Sequence, residues 1–176
     1  FKKASSETIK KLNNEYRVIN SLSKTSNALE VTLFNSKFYT PKSLEDLTEI
    51  KDQMVTLNLS KVPVEDKDIK TISQYKNLRH LNLNFTKISG KDFGGLVSLS
   101  HLKTLDLGEI QVDLKSFIDF LKKSKNLKSV SLWNTNLSKQ ELLSLEKEFQ
   151  NIRMITGGEE NILKLNLPFL DNKPIV

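Results

Sequence analysis

The sequence predicts an α/β solenoid, in which parallel strands form a concave sheet and helices cover the convex side. One observation is an apolar pattern that returns at intervals of 24 to 26 residues along the chain. A second is that the apolar spacing between the copies changes to three and four residues, which is typical of an amphipathic helix. A strand and a helix in each unit make successive strands parallel, because right-handed connections return the chain to the same end of the sheet.

The strand units carry apolar residues at their first, fourth, sixth and eleventh positions. Four copies are regular: MVTLNLSKVPV from Met54, LRHLNLNFTKI from Leu78, LKTLDLGEIQV from Leu102 and LKSVSLWNTNL from Leu127. An atypical copy, ALEVTLFNSKF, starts at Ala28, and a truncated one, IRMITGG, starts at Ile152. Alternation at the middle positions predicts strands with one buried face.

These apolar positions are expected to build a single core. In the five longer copies they are Ala28, Val31, Leu33 and Phe38; Met54, Leu57, Leu59 and Val64; Leu78, Leu81, Leu83 and Ile88; Leu102, Leu105, Leu107 and Val112; Leu127, Val130, Leu132 and Leu137.

Each segment between the strands is predicted to be helical, with one face turned toward the sheet. Ser138 and Glu141 fit a capping box, and Ser43 with Asp46 forms a weaker one. Gly94 and Gly95 interrupt the third segment, which predicts a short or 3₁₀ helix there. The apolar residues of these segments are Leu44, Leu47 and Ile50; Ile69, Ile72 and Tyr75; Phe93, Leu96 and Leu99; Phe117, Ile118 and Leu121; Leu142, Leu145 and Phe149.

The two ends differ from the repeats, and we expect three parts. Residues 1–27 are predicted to form an N-terminal cap, with a helix over Ser5–Tyr16 and a short strand over Tyr16–Ile19, because a solenoid must cover the core of its first unit. Residues 28–158 form the repeats. Residues 159–176 are interpreted as an extended tail that leads toward a further domain.

The composition is ordinary for a globular protein, with 38% hydrophobic and 27% charged residues in 176. No apolar run approaches the roughly 20 residues that a membrane helix needs. The absence of cysteine excludes disulfides, thiolate metal sites and cysteine nucleophiles. The net charge of +6 comes mostly from lysine, which favours a solvated surface over a nucleic-acid site. We expect no cofactor, no nucleic-acid partner and no direct membrane contact by this segment.

The pattern L-x-x-L-x-L-x-x-x-x-L resembles the leucine-rich repeat family in its bacterial form. That form carries Asn, Cys or Thr at the ninth position to hold the turn that leaves the strand. The resemblance implies such a role for Thr86 and Thr135 and, less clearly, Ser36. Val62 and Ile110 depart from the pattern, so they are expected to be buried and their turns to deviate.

Three stretches also resemble the repeat region of multidomain envelope proteins of Bacteroidetes-type bacteria. The resemblance implies an extracytoplasmic recognition module, periplasmic or at the cell surface, in a parent protein with a membrane-spanning part and a c-type cytochrome-like part. The haem motif of that part, Cys-x-x-Cys-His, is absent here, so no redox role follows. The stretches are Ala28–Asn35, Leu78–Ile88 and Ile162–Pro168.

The positions between the inward residues are expected to form three columns on the concave face. The second column is short, polar and almost uncharged, and Trp133, the only tryptophan, is expected to stand exposed beside it. The columns are Glu30, Thr56, His80, Thr104, Ser129 and Met154; Thr32, Asn58, Asn82, Asp106, Ser131 and Thr156; Phe34, Ser60, Asn84, Gly108, Trp133 and Gly158.

This face has two interpretations that the sequence leaves open. Amides, hydroxyls and an exposed Trp suit a sugar or a peptide, but they are also what a solvated sheet needs. For Trp133, a lateral contact with Phe85 or a loop is as plausible as ligand binding. The candidate ligand-binding residues are Asn58, His80, Asn82, Asn84, Thr104, Asp106, Ser131 and Trp133.

A catalytic or metal site is not predicted. His80, Asp106 and Ser131 lie on neighbouring strands, but a hydrolytic triad needs the histidine between the nucleophile and the acid. The two histidines are separated and have no clustered acids, which argues against a metal site. The sequence therefore predicts a non-enzymatic module that binds a protein or a glycan. The alternative is a structural spacer that packs against neighbouring domains of the same chain.

Overall fold

The computed structural model describes residues 2–157; Phe1 and residues 158–176, including Gly158, the predicted tail and the stretch Ile162–Pro168, lie outside the described residues. The described chain is an α/β structure with an open, mostly parallel seven-stranded sheet, whose strands follow one another in chain order. β1 pairs with β2 in antiparallel orientation, and every later pair is parallel. The strands are β1 Arg17–Ser21, β2 Leu29–Leu33, β3 Met54–Asn58, β4 His80–Asn82, β5 Thr104–Asp106, β6 Ser129–Ser131 and β7 Arg153–Ile155.

Helices connect the parallel strands, as the apolar spacing predicts. The Gly94–Gly95 segment is a 3₁₀ helix, Phe93–Ser98, and the Ser138–Glu141 capping box begins α5. The weaker box predicted at Ser43 is wrong in register, since Ser43 instead completes a box with Thr40 that starts α2. The α-helices are α1 Ser6–Leu12, α2 Pro41–Glu45, α3 Ile69–Ile72, α4 Leu114–Lys123 and α5 Lys139–Glu148; further 3₁₀ helices span Ser36–Phe38, Asp46–Ile50 and Asp66–Asp68.

The first helix is shorter than predicted, because the chain turns after Leu12. Asn14 forms a bridge to Arg17, and the Asn13 side chain accepts a hydrogen bond from the backbone N–H of Ile19 at 2.7 Å. These contacts direct the chain into β1, which covers the edge of β2. None of the helices in residues 2–157 is long and apolar enough to cross a bilayer.

The register of the parallel strands places equal positions of the repeat side by side. Leu57, Leu81, Leu105 and Val130 pair in sequence across β3 to β6, and all four are fully buried. Because side chains alternate along a strand, the residues on either side of this row point to the opposite face.

The last strand is shifted by one residue from its predicted register. Met154 pairs with Val130 and is buried, whereas Ile155 pairs with Ser131 and is half-buried. The assignment of Met154 and Thr156 to the polar columns is therefore wrong. Because Met154 is buried instead of Ile155, the residues that alternate with Met154 along the strand, including Arg153, point to the face opposite the core.

The predicted core residues are buried, with one exception. Phe38 is 44% exposed and stacks on Tyr16 at a ring distance of 6.0 Å. It lies in the 3₁₀ helix Ser36–Phe38, which replaces the extended turn of the other units and points the ring outward. Tyr75, from a helical segment, is fully buried and donates its hydroxyl hydrogen to the carbonyl of Leu44 at 2.5 Å. Burial raises the pKa of that hydroxyl far above its usual range.

The turns that leave β3 to β6 share one backbone device. Each has a non-glycine residue in the left-handed region: Lys61, Phe85, Glu109 and Asn134, with φ between 53° and 64°. The deviation expected at Val62 is not found, because Val62 N–H bonds to Leu59 O at 3.0 Å much as Thr86 N–H bonds to Leu83 O at 3.3 Å.

The threonine hydroxyls add to these turns without being required for them. Thr86 and Thr135 donate to the carbonyls of Leu83 and Leu132 at 2.8 and 3.0 Å. Val62 and Ile110 occupy the same position and are buried, as expected. The same backbone hydrogen bond therefore closes the turn with valine at the ninth position, in the unit of Val62, and with threonine, in the unit of Thr86.

Arg17 joins the N-terminal elements to the rest of the protein. Its guanidinium is almost fully buried and donates to the carbonyls of Leu12 at 2.7 Å and Ser43 at 2.8 Å. Replacing Arg17 by Met keeps most of the aliphatic volume but leaves both carbonyls without their donor. We expect the free energy of unfolding to fall by about 2–4 kcal/mol, measured by urea denaturation.

The matched control for this stability prediction is Arg79→Met. Arg79 is exposed, so its replacement is expected to change stability by less than about 0.5 kcal/mol. Equal stability of the Arg17 and Arg79 variants would contradict the assigned role of Arg17.

Candidate ligand-binding face

The polar face is the side of the sheet opposite the buried leucine row. Its first column pairs Thr56, His80, Thr104 and Ser129, and its second pairs Asn58, Asn82, Asp106 and Ser131. Seven of the eight predicted ligand-binding residues are partly exposed, and Ser131 is 5% exposed. Ser131 therefore offers little surface to a ligand. The other seven are Asn58, His80, Asn82, Asn84, Thr104, Asp106 and Trp133.

His80 and Asp106 form a direct pair across β4 and β5. His80 Nε2 lies 2.7 Å from Asp106 Oδ2, and the two side chains are 41% and 18% exposed. The hydrogen bond to Asp106 raises the pKa of His80 above its usual 6.5, the charges of Asp106 and Glu30 raise it further, and partial burial opposes them. The pair carries little net charge when His80 is protonated.

Ser131 does not complete a hydrolytic constellation. It lies beside Asp106 in the register, but within residues 2–157 its side chain makes no hydrogen bond to Asp106 or His80. Hydrolysis by a serine nucleophile needs a base within hydrogen-bond reach of the hydroxyl. No group of three or more histidine, cysteine or acidic residues that could hold a metal occurs in the described part of the chain.

Three asparagines on this face use one half of each amide to hold the turns. The Oδ1 atoms of Asn58 and Asn82 accept from the backbone N–H groups of Ser60 and Asn84, at 3.0 and 2.9 Å. Asn84 Oδ1 accepts from the N–H of Gly108 at 2.6 Å. Among the described residues, none of the three Nδ2 groups has a hydrogen-bond partner. The row therefore presents donors, whose orientation is held by the bonded oxygens.

Trp133 is half-buried, whereas the sequence predicted an exposed ring. A Cβ placed on Gly108 would lie 2.5 and 2.6 Å from Nε1 and Cζ2 of the indole and closer still to Cε2. Such near-equal distances place Gly108 under the face of the ring. The indole thus crosses over β5 and meets Phe85 edge to face, at a centroid distance of 5.3 Å.

The lateral contact of Trp133 with Phe85 that the sequence offered as one interpretation is present. Neither Phe85 nor Lys61 was among the predicted ligand-binding residues. Phe85 is 42% exposed at a φ of 58°, which is rare for a bulky residue. The ammonium of Lys61 lies 5.4 Å from the centre of its ring. In the sequence, the available sign of their place in the site was that both residues lie one position after the third column. A left-handed turn without glycine cannot be recognised from a single sequence.

A groove lies elsewhere, between α3, the 3₁₀ helix Phe93–Ser98 and α4. This groove of about 800 Å³ has a mixed rim of lysines and aspartates. Two of those aspartates already serve the fold: Asp66 accepts from Ser89 and Gly90, and Asp113 caps α4. The groove contains none of the predicted ligand-binding residues.

The His80–Asp106 pair predicts a pH-dependent stability. Because the folded-state pKa of His80 is raised, its stabilisation is fully present below pH 6.5 and is lost as the pH rises through the folded-state value. We expect the free energy of unfolding of the wild type, relative to that of Asp106→Asn, to decrease between about pH 6 and pH 8. Urea denaturation at a series of pH values measures it.

His101→Gln is the control for this pH dependence, because His101 is exposed and lies outside the pair. It is expected to keep the wild-type slope, and His80→Gln to abolish it. An NMR titration that gives His80 a pKa below 6.5 would contradict the prediction.

Comparison of the sequence with known proteins does not identify a family. No model of a known protein family matches the sequence, and none of the curated proteins matches it significantly.

Proposed function

We propose that this protein is a non-enzymatic recognition module that binds a protein or a glycan through the polar face of its sheet. The observation that carries the proposal is the row of amide N–H groups on Asn58, Asn82 and Asn84. Their oxygens are bonded to backbone, so each Nδ2 is held in place and is available to a ligand. Donors whose orientation is set in advance lose little conformational entropy on binding.

The family we propose is the leucine-rich repeat family, with the described sheet as the concave side of a solenoid. Three facts support it: the 24- to 26-residue sequence period, the in-register pairing of equal repeat positions, and the turn shared by four units. Residues 28–158 are then the repeats, residues 1–27 the cap, and residues 159–176 a tail. The Bacteroidetes-type envelope protein, with a periplasmic or surface location, is proposed on resemblance alone.

A non-enzymatic role is supported by how the reactive side chains are used. His80 is bonded to Asp106, and Ser131, which is buried, makes no hydrogen bond to either of them within the described residues. We propose no cofactor. The partner we propose is neither nucleic acid nor a membrane surface, because the positive charge is mostly lysine, whereas arginine, which suits phosphate and base recognition, is scarce.

A structural spacer is the second candidate, supported by apolar side chains at the β1 end of the sheet. Val18, Leu22, Phe34 and Phe38 are between 38% and 53% exposed there. Exposed apolar groups of this kind often mark contact surfaces. The spacer would pack against neighbouring domains of a cytochrome-containing membrane protein through this end, leaving the polar face free.

Isosteric changes in the amide row test the recognition proposal. Asn58→Asp and Asn82→Asp keep an oxygen for the backbone N–H while replacing the free donor by an acceptor. We expect each variant to bind a ligand, identified on glycan and peptide arrays, about tenfold more weakly than the wild type. Isothermal titration with the array-identified ligand measures the change, and circular dichroism checks the fold.

Gln140→Glu is the matched control, since it makes the same amide-to-carboxylate change at an exposed position on α5. It is expected to bind like the wild type. The proposal is overturned if the two Asp variants also bind like the wild type, or if no glycan or peptide on the arrays binds.

A further inference from the structure

Phe85 and Trp133 form an aromatic platform at the end of the polar face. Phe85 follows β4 and Trp133 follows β6, so two strand spacings, about 10 Å, separate their backbones. The rings meet because Gly108, on the strand between them, has no side chain to keep them apart. The platform therefore exists only because three units combine a phenylalanine, a glycine and a tryptophan at the ends of successive strands.

The indole turns one face toward Gly108 and the other away from the sheet. Gly108 lies under the ring, and Phe85 contacts it edge to face. The ring is half-buried and lies above the sheet in the direction that a Gly108 side chain would take. The face opposite Gly108 is therefore directed away from the sheet, and a flat apolar surface can stack on it.

Hydrogen-bond donors surround the platform. Trp133 Nε1 and Asn84 Nδ2 have no partner within residues 2–157, whereas Asn84 Oδ1 is bonded to the N–H of Gly108. The exposed carboxylate of Glu109 accepts a hydrogen bond from Asn134 through one of its oxygens. Lys61 makes no ion pair with a described residue and holds its ammonium over Phe85. A ligand here meets an apolar ring with donors at its edge, the positive charge of Lys61 and the negative charge of Glu109.

We propose that the platform binds a glycan whose pyranose rings carry carbonyl or carboxylate oxygens, as in N-acetylated or uronic-acid sugars. The C–H face of a pyranose stacks on the indole, and its acceptor oxygens take the hydrogens of Trp133 Nε1 and Asn84 Nδ2. This inference rests on the proposed recognition function and names the ligand class.

The exposure of the Phe85 ring supports a role beyond packing. The left-handed backbone of Phe85 is shared by Lys61, Glu109 and Asn134 and therefore belongs to the turn of these units. The ring remains 42% exposed, and it contacts the indole and the Lys61 ammonium, both parts of the same site.

Trp133 reports binding directly, because it is the only tryptophan in the chain. The probes are chitotetraose, tetragalacturonate, cellotetraose and a tetraglutamate peptide. We expect chitotetraose or tetragalacturonate to shift the tryptophan emission saturably, and cellotetraose, which lacks carbonyl acceptors, to bind at least about tenfold more weakly. Lys61→Gln distinguishes the two sugar classes, N-acetylated and uronic-acid. Loss of the ammonium is expected to weaken only the binding of tetragalacturonate.

Two glycine variants give a matched test of the platform. Gly108→Ala places a methyl group against the indole, whereas on Gly94 a Cβ meets nothing within 4 Å. Gly108→Ala is expected to reduce glycan binding at least about tenfold and Gly94→Ala to leave it unchanged. Phe85→Gly, which suits the left-handed backbone, is expected to fold stably and also to lose binding. If Gly108→Ala fails to fold, Phe85→Gly still tests whether the platform binds the glycan.

The outcomes separate this inference from the function on which it rests. If no saccharide shifts Trp133 emission but a ligand still binds in a manner sensitive to Asn58→Asp, the glycan assignment fails and the recognition function stands. Equal binding of tetraglutamate and the best saccharide also overturns the assignment, because charge alone would then explain it. If no ligand binds the polar face, both proposals fail.

Discussion

The stacking of one apolar residue per strand at the centre of the parallel sheet is the constraint on which the rest of the structure depends. Leu57, Leu81, Leu105 and Val130 stand side by side and are fully buried. Since side chains alternate along a strand, this row alone puts the neighbouring residues on the polar face. A shift of one residue would exchange the two faces, as the last strand shows, where burying Met154 turns Arg153 outward.

The turns that follow the strands bring side chains of different units together at the candidate site. After β3, β4 and β5 the chain leaves the sheet through a residue in the left-handed region, and the N–H of that residue bonds to a carbonyl of the next unit. Phe85 N–H, for example, bonds to the carbonyl of Gly108 at 2.9 Å. The side chains after the strands therefore gather at one edge, where Phe85, Gly108 and Trp133 come together although 23 residues separate the first two in sequence and 25 the last two.

The polar face uses its side chains in two ways. His80 and Asp106 are bonded to each other through Nε2 and Oδ2. The asparagines are bonded through their oxygens to backbone N–H groups of the turns, so within the described residues their Nδ2 groups remain as donors. The turns themselves therefore set which half of each amide faces outward.

The sequence by itself determined the repeat period, the inward residues and the placement of Asn58, Asn82 and Asp106 on one face, because strand alternation depends only on local geometry. It did not determine the end of α1, the outward turn of Phe38 or the register of β7, since these depend on contacts with residues distant in the chain. Tertiary structure alone decided that His80 reaches Asp106, that the amide oxygens are bonded and that Trp133 lies over Gly108 against Phe85. Each of these is a contact between units of the sheet or within a turn, and it follows from how far a side chain reaches once the strands are stacked.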